Sequence, residues 1–428
     1  MLKYIKIRNF LSFKEEKEIN FESSNYGGKS ENVFNIKSLG KKTTFSKSML
    51  IYGANSSGKS NILKAIDLIQ FIATSTDNKK LSFMLSPFLL DSKSKEEPTF
   101  LEICFFIENK EYIYNFEIFE NKFLTENLFE VKTKGKVSLY ERRGQKIKFD
   151  KSFEKEAKKG LEKMKEDVSF FAVLSQWNGI LNKKPIDYFF NKLNIIFDND
   201  IGPGLTIGLL DLVKSDENKK IVIEFLRCAD INISDIKITK KQLPKELLDR
   251  LIDAPKELIN DLSIKIEFGH KINNSDEIIY LPIQSESDGT QKLFYILGPI
   301  IDSILNERIL FIDEIETNLH PHILKNLFKL IHTKIDKKYQ FIFTTHNVEL
   351  MDLSMFKKEQ IGIVSKNKEN FSNFYTLYDF DDIPLRSEKD IRKLYNLGSL
   401  GGVPSVGDFS ILLDDIKLNE EKTEMMKN

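Results

Sequence analysis

Residues 49–69 leave the chain few folds to choose from. Apolar Met49-Leu50-Ile51-Tyr52 leads into Gly53-Ala54-Asn55-Ser56-Ser57-Gly58-Lys59-Ser60, and Asn61-Ile62-Leu63-Lys64-Ala65-Ile66-Asp67-Leu68-Ile69 follows with helical spacing. The octapeptide satisfies G-x-x-x-x-G-K-[ST] at every fixed position, in the strand–loop–helix context that gives this motif its meaning. Glycines let the backbone curl so that successive N–H groups face one anion, and the helix N-terminus adds partial positive charge there. Lys59 is placed to reach β- and γ-phosphates, and the Ser60 hydroxyl to take a Mg²⁺ position. The bland alternative is a Gly/Ser loop that happens to precede a helix. Such a match arises by chance in roughly one chain per hundred of this length, and the flanking pattern makes chance rarer still. The stretch therefore predicts a nucleotide site made by Gly53, Ala54, Asn55, Ser56, Ser57, Gly58, Lys59, Ser60 and Asn61. Gly27-Gly28-Lys29-Ser30 shares the ending, but position 23 is serine where the first glycine belongs. No apolar strand leads into it, so it reads as a mobile polar loop.

Composition narrows the rest. With 428 residues, 41% hydrophobic and 30% charged, the chain holds one large domain or two to three ordinary ones with ample core. Basic and acidic residues balance at 64 each, so affinity for nucleic acid would have to come from a local patch. Cys104 and Cys228 sit in apolar runs without metal-ligand neighbours, which predicts buried free thiols in a reducing cytoplasm. The N-terminus alternates like a strand and lacks a signal-peptide block. The longest apolar stretch, 293–305, is broken by Asp302 and is too short to span a bilayer. A soluble cytoplasmic protein is expected.

Along the chain, residues 1–150 read as an N-terminal lobe. Strands are predicted at 2–7 and 16–21, a polar loop at 22–47 and an antiparallel subsheet over about 81–148. Within that subsheet, Phe100 to Phe106 and Tyr112 to Ile118 form two strands around a turn at 108–111, with further strands at 122–132 and 136–142. Residues 151–270 read as a mainly helical insertion, with a charged, helix-prone stretch at 152–166 and shorter amphipathic pieces at 185–197, 216–229 and 244–262 broken by prolines. No sustained heptad repeat predicts a coiled-coil arm. Two segments are basic: residues 1–50 carry a net +5, and 132–166 carry 13 Lys/Arg against 6 Asp/Glu. A solvated face is the ordinary explanation, since few aromatics are interleaved for stacking on bases. Residues 271–428 form a C-terminal lobe.

That lobe carries the remaining chemistry. Arg308-Ile309-Leu310-Phe311-Ile312-Asp313-Glu314 is a buried-strand run ending in two carboxylates. Ligands of parallel sheets bind beyond the strands' C-terminal ends, where Asp313 can hold Mg²⁺ and Glu314 can act as general base on water. The run alone is a weak signal; beside the phosphate loop it is a strong one. A second apolar run, Phe341-Ile342-Phe343-Thr344-Thr345-His346-Asn347, places His346 by the γ-phosphate. A single histidine is usually a surface or satisfied core residue, but strand order favours function here. His320 and His322 flank Pro321 at a helix start, which reads as capping and packing rather than a metal pair.

Phosphate loop, strand-Asp-Glu and strand-Thr-His, in that order, resemble an ABC-type ATPase head, related to recombination and chromosome-maintenance ATPases. That family carries a Ser-x-Gly signature loop and a helix before the Asp-Glu strand, and Glu286-Ser287-Asp288-Gly289-Thr290-Gln291 stands there. Ser287 can N-cap, and Gly289 lets backbone N–H groups approach an anion. More narrowly the chain is similar to OLD-like (overcoming-lysogenization-defect) ABC ATPases. The shared stretches are Ile7-Arg8-Asn9-Phe10-Leu11-Ser12-Phe13, the phosphate loop, Glu286-Ser287-Asp288-Gly289-Thr290, Asp313-Glu314-Ile315-Glu316-Thr317-Asn318-Leu319-His320-Pro321, Thr344-Thr345-His346-Asn347 and Tyr395-Asn396-Leu397-Gly398-Ser399-Leu400-Gly401-Gly402-Val403-Pro404. The resemblance implies an α/β P-loop NTPase fold with a mixed sheet, an antiparallel subsheet and a mostly helical insertion. It implies a head-to-tail ATP sandwich in a homodimer or higher homo-oligomer, with Ser287 and Gly289 of one subunit capping the γ-phosphate of the other and residues 316–320 crossing between the sites. A lobe-junction glutamine also belongs to the family; Gln176 is the candidate, unassigned. Only 82 residues follow His346, without a convincing acidic metal-ligand cluster, Asp414-Asp415 belonging to an acidic tail. The chain thus resembles the stand-alone ATPase subunits of abortive-infection and other antiphage systems, which work beside a separately encoded effector.

The leading expectation is an ATP-hydrolysing switch using ATP and Mg²⁺, with Glu314 and His346 catalytic and Ser60 and Asp313 on the metal. The second is a recombination- or repair-type ATPase that clamps duplex DNA, favoured by the basic segments and disfavoured by the neutral net charge. A scaffold that never hydrolyses its nucleotide has no use for Asp313, Glu314, Ser287 and His346 together.

Overall fold

The computed structural model describes residues 1–24, 28–77, 79–151, 158, 160–162, 164–176, 187–206, 209, 215–250, 259, 262–380 and 388–404. It opens on an antiparallel pair, β1 (Leu2–Arg8) and β2 (Lys17–Asn20), whose alternation buries Ile5, Ile7 and Ile19. The polar stretch that follows is not only loop. Residues Val33–Ser38 (β3) and Lys41–Ser46 (β4) form a hairpin. Its few apolar side chains, Phe34, Ile36 and Phe45, gather with Met1 and Phe106 in a small cluster of their own. Three inward residues suffice for period-2 pairing, but among so many polar ones they give little signal. Lys29, of the expected mobile loop, donates to the Leu353 carbonyl, while Gly27 lies outside the described residues.

Next comes β5 (Ser48–Tyr52), buried at every residue as a central parallel strand should be, and α1 (Lys59–Thr74). The antiparallel strands β6 (Thr99–Ile107), β7 (Lys110–Phe119), β8 (Lys122–Lys132), β9 (Gly135–Arg143) and β10 (Lys146–Phe149) extend β1 and β2. Their order is β10-β9-β8-β7-β6-β1-β2. The first two hairpins turn on two residues each, Glu108-Asn109 and Glu120-Asn121, all four at positive φ. Such turns match the twist of the strands. The turn expected over 108–111 is therefore shorter, because Lys110 and Glu111 already pair with Ile107 and Phe106.

The stretch expected to be a mainly helical insertion is mixed where it is described. It contributes α2 (Phe170–Gln176) and α3 (Asp216–Cys228), and also β11 (Leu193–Ile196), β12 (Asp235–Lys240) and β13 (Ile264–Lys271). The helix read over 185–197 is in fact a four-residue helix, Asp187–Phe190, followed by β11. A short apolar run looks alike in a buried strand and a buried helix, and only the sheet decides. Most of the helix expected at 152–166 lies outside the described residues.

The chain then runs through β14 (Ile278–Pro282), α4 (Asp288–Leu305), β15 (Ile309–Ile312), α5 (Pro321–Ile331) and β16 (Gln340–Thr344). It continues through β17 (Ile361–Lys366), β18 (Ser372–Thr376) and α6 (Glu388–Asn396). A six-stranded sheet has the order β11-β15-β16-β5-β17-β18, parallel throughout except for β18. Its faces serve two cores. Met49, Ile51, Phe311 and Ile342 join α1 and the antiparallel sheet, whereas Leu50, Tyr52, Leu310, Ile312 and Phe343 join α4 and α5. The result is the α/β phosphate-loop fold, with a mixed and an antiparallel sheet, that the sequence predicts. Parallel pairing brings the C-terminal ends of β5, β15 and β16 to one edge, where the motif residues follow each strand.

Candidate functional site

The loop after β5 is shaped by close approach as well as by dihedral freedom. Ser56 and Gly58 take φ of +60° and +113°. A Cβ on Gly58 would overlap the hydroxyls of Ser372 and Ser12, and one on Gly53 would lie 2.5 Å from Ser57 Oγ and the Val364 carbonyl. These neighbours hold the loop from outside. Ser372 Oγ donates to the Ser57 carbonyl (2.5 Å) and pairs with the Ser12 hydroxyl (2.7 Å), whose proton it can accept, while Asn61 Nδ2 donates to Ser12 Oγ (2.8 Å). Lys59 and Ser60 open α1, so their N–H groups have no intrahelical partner. The buried Ser57 hydroxyl has no hydrogen-bond partner either.

Lys59 draws the motifs together. Its ammonium donates to the carbonyls of Gly53 (3.0 Å) and Ala54 (3.1 Å) and to His346 Nε2 (2.8 Å). Burial pulls its pKa below the ordinary lysine value, opposed by the charges of Glu314, Asp313 and Glu316. His346 is held below the ordinary imidazole value by burial and by Lys59, with the three carboxylates opposing. A neutral imidazole that accepts from the ammonium at Nε2 is consistent with both. Asp313 is buried and accepts from the Thr344 hydroxyl, and the same oxygen of Thr344 accepts the Glu314 N–H at 2.8 Å. Glu314 has φ +47°, and its carbonyl accepts from Lys292 Nζ at 2.9 Å. Glu316 accepts the His346 backbone N–H through one oxygen, and the other is buried without a partner.

A cavity of about 570 Å³ opens over this arrangement, lined by residues 55–61 together with Ser12, Lys64, Glu314, His346 and Lys366. Gly53, Ala54 and Asp313 lie behind its lining. Ser287 and Gly289 do not reach it from their own chain. Ser287 caps α4, accepting the Thr290 N–H at 3.2 Å, and is exposed. Gly289 packs so tightly on the Asn318 carbonyl that a Cβ would overlap it. The closing segment packs beside the phosphate-loop strand: Tyr395 meets Tyr52 edge-on at 5.9 Å and donates to the Gly402 carbonyl. His320 caps α5 through its ring, accepting the His322 N–H, as its place beside Pro321 predicts. Gln176 ends α2, and its side chain lies outside the described residues. One thiol expectation is corrected: Cys228 is exposed at the end of α3, while Cys104 is buried.

Sequence reasoning missed Ser12, Lys64, Lys366, Thr344 and Lys292 as residues of this site. Thr344 could have been found, since a hydroxyl inside a buried apolar strand needs a partner. The lysines carried no local signal. The donor set suits a magnesium nucleotide. Unpartnered N–H groups and a buried hydroxyl face the loop, and hydroxyl and carboxylate oxygens are hard ligands of the kind Mg²⁺ prefers. Among the described residues no group of three or more His, Cys, Asp and Glu could hold a metal by itself.

Strand, phosphate loop, helix and a carboxylate pair at the end of β15, separated from β5 by β16, define a phosphate-loop ATPase-type domain. The family described as "AAA domain, putative AbiEii toxin, Type IV TA system" matches residues 48–352, and the chain belongs to it. No curated protein matches the sequence. Among solved structures, the chain is similar to the Smc head bound to the C-winged helix domain of ScpA, at 14% identity and TM-score 0.45 over 88% of this chain and 97% of that one. It is also similar to the SMC head domain from Thermotoga maritima, at 15% identity and TM-score 0.41 over 88% and 98%. A third likeness is to the Smc head domain with an extended coiled coil bound to the C-terminal domain of ScpA from Pyrococcus furiosus, at 14% and 0.41 over 92% and 98%. Nothing about this chain's activity follows from likeness at that level. Among the described residues no helix is long and apolar enough to cross a membrane.

Proposed function

We propose that this chain is an ATP-hydrolysing switch of the OLD-like ABC type, which dimerises around ATP and controls a separately encoded effector, in antiphage defence. The observation that carries the reading is the convergence of Lys59, Glu314 and His346 on one cavity, with Asp313 directly behind. The loop N–H groups and Lys59 bind and orient the triphosphate. Ser60 and Asp313 would hold Mg²⁺, whose charge would offset that of the phosphate oxygens. Glu314 takes the proton of the attacking water. His346, beside Lys59, is placed to donate a ring N–H to the terminal phosphate. Ser287 and Gly289 lie outside their own cavity, which agrees with service to a second copy's nucleotide. Lys59→Ala should abolish ATP binding in a calorimetric titration, and an unchanged affinity would undo the reading.

One observation favours a second reading, a clamp on duplex DNA. Lys134, Lys136, Arg143, Lys146 and Lys148 are exposed on β9, β10 and the turn before them, at one end of the antiparallel sheet. Phosphate contacts there would give DNA affinity that falls steeply with salt. A flat or absent response leaves the effector switch alone.

A further inference from the structure

Lys292 is a charged side chain with only 6% of its surface exposed, one turn into α4. Burying an ammonium is costly unless hydrogen-bonded partners offset the loss of water. Here two are present. Nζ donates to Asp198 Oδ1 at 3.0 Å and to the main-chain carbonyl of Glu314 at 2.9 Å. The first alone would make Lys292 an ordinary structural ion pair between α4 and the loop after β11. The second makes it something else, because the peptide it holds belongs to the residue read as the general base.

Glu314 needs holding. A non-glycine residue at φ +47° is in a sparsely populated conformation that persists only where its surroundings over-determine it. Its N–H is fixed by Thr344 Oγ1 at 2.8 Å. Its carbonyl accepts the Thr317 N–H at 3.1 Å, closing a local turn; Thr344 ties that turn to β16, and Lys292 ties it to α4. The first turn of α4 and the loop after Glu314 also touch through Gly289 and the Asn318 carbonyl, with no room for a Cβ. The start of α4 and the segment carrying Glu314 are therefore joined at two points.

We propose that Lys292 is a positioning residue for hydrolysis: through the Glu314 carbonyl it fixes the backbone from which the Glu314 carboxylate reaches water, and so sets turnover rather than nucleotide affinity. The proposal rests on the reading of Glu314 as the base. Lys292 does not line the nucleotide cavity, so the proposed action runs through the geometry of another residue.

The test is a cycle on the full chain with wild type, Lys292→Met, Glu314→Gln and the double variant, measuring kcat at saturating ATP and ATP affinity by calorimetry. Losing a charge-assisted hydrogen bond at a catalytic peptide should lower kcat roughly 10–100-fold and leave the ATP Kd within about twofold. In the Glu314→Gln background Lys292→Met should cause no further loss, because residues that act as a unit are not additive. Intact ATP binding serves as the folding control. Should Lys292→Met fail to fold, Lys292→Gln, whose amide can serve one of the two partners, must show the same split between kcat and Kd. A kcat within twofold of wild type overturns the proposal, as does a parallel loss of affinity or a full additional loss in the double variant. Wild-type turnover by Glu314→Gln alone removes the base reading and this proposal with it. Impaired Glu314→Gln beside normal Lys292→Met removes only the proposal.

Discussion

His332 takes no part in the chemistry, yet it ties the phosphate-loop strand to pH. Its Nε2 lies 2.8 Å from Ser48 Oγ at the start of β5, and its ring packs against Phe328 and Phe356. Burial, with Lys47 nearby, pushes its pKa down to about 3, against about 6.5 in an unfolded chain. Between those values the unfolded state binds the extra proton, so stability is lost as pH falls through that window. At pH 5 the loss from this residue is about 2 kcal/mol relative to pH 7.5. Denaturant unfolding at the two pH values checks it. His332→Gln, which keeps a hydrogen-bonding group, should lose less stability than wild type over this interval by that amount. Equal pH dependence in both proteins would contradict the assignment. Other residues of the site differ in how far sequence alone reveals them. Lys59, Ser60 and the Asp313-Glu314 pair are legible because phosphate chemistry fixes their type and spacing within one local segment. Thr344 and Lys292 are not, because their partners come from strands and helices that meet only when the sheet closes.

At the scale of elements, the antiparallel sheet reaches the phosphate-loop helix through one buried network. Glu126 on β8 and Arg142 on β9 form an ion pair at 3.1 Å with both side chains fully buried. The same carboxylate accepts the hydroxyls of Tyr114, Tyr140 and Ser169 and the N–H groups of Phe170 and Phe171, which begin α2. α2 in turn packs on α1. Glu126→Ala would strand a buried guanidinium and uncap α2, a change that should cost about 3–5 kcal/mol. Denaturant unfolding reads it, and a loss below about 1 kcal/mol would show that the network is not holding the layers together. The strands of this sheet are legible because aromatic and β-branched residues run between clear turns, although β6 is buried along most of its length rather than on alternate residues. The β3–β4 hairpin and β11 are not. The hairpin buries only three aromatic or aliphatic side chains from its two strands, and β11 is only four residues, Leu193-Asn194-Ile195-Ile196, whose state is decided by pairing with β15.

At the scale of the whole molecule, Ser287 and Gly289 stand apart from the cavity of their own chain. A site completed by a second copy would make assembly depend on nucleotide. A ligand at about 100 times its dissociation constant adds roughly 2.7 kcal/mol to the state that binds it. Glu314→Gln with ATP should therefore sediment as a dimer, and without ATP as a smaller species. A sedimentation coefficient indifferent to ATP would contradict the sandwich. Hydrolysis of ATP in this cavity with Glu314 as base can be read from single variants. Phosphate release by Glu314→Gln should fall by about 10²–10⁴-fold, the usual weight of a general base, while ATP still binds. Release at a rate near wild type would contradict it.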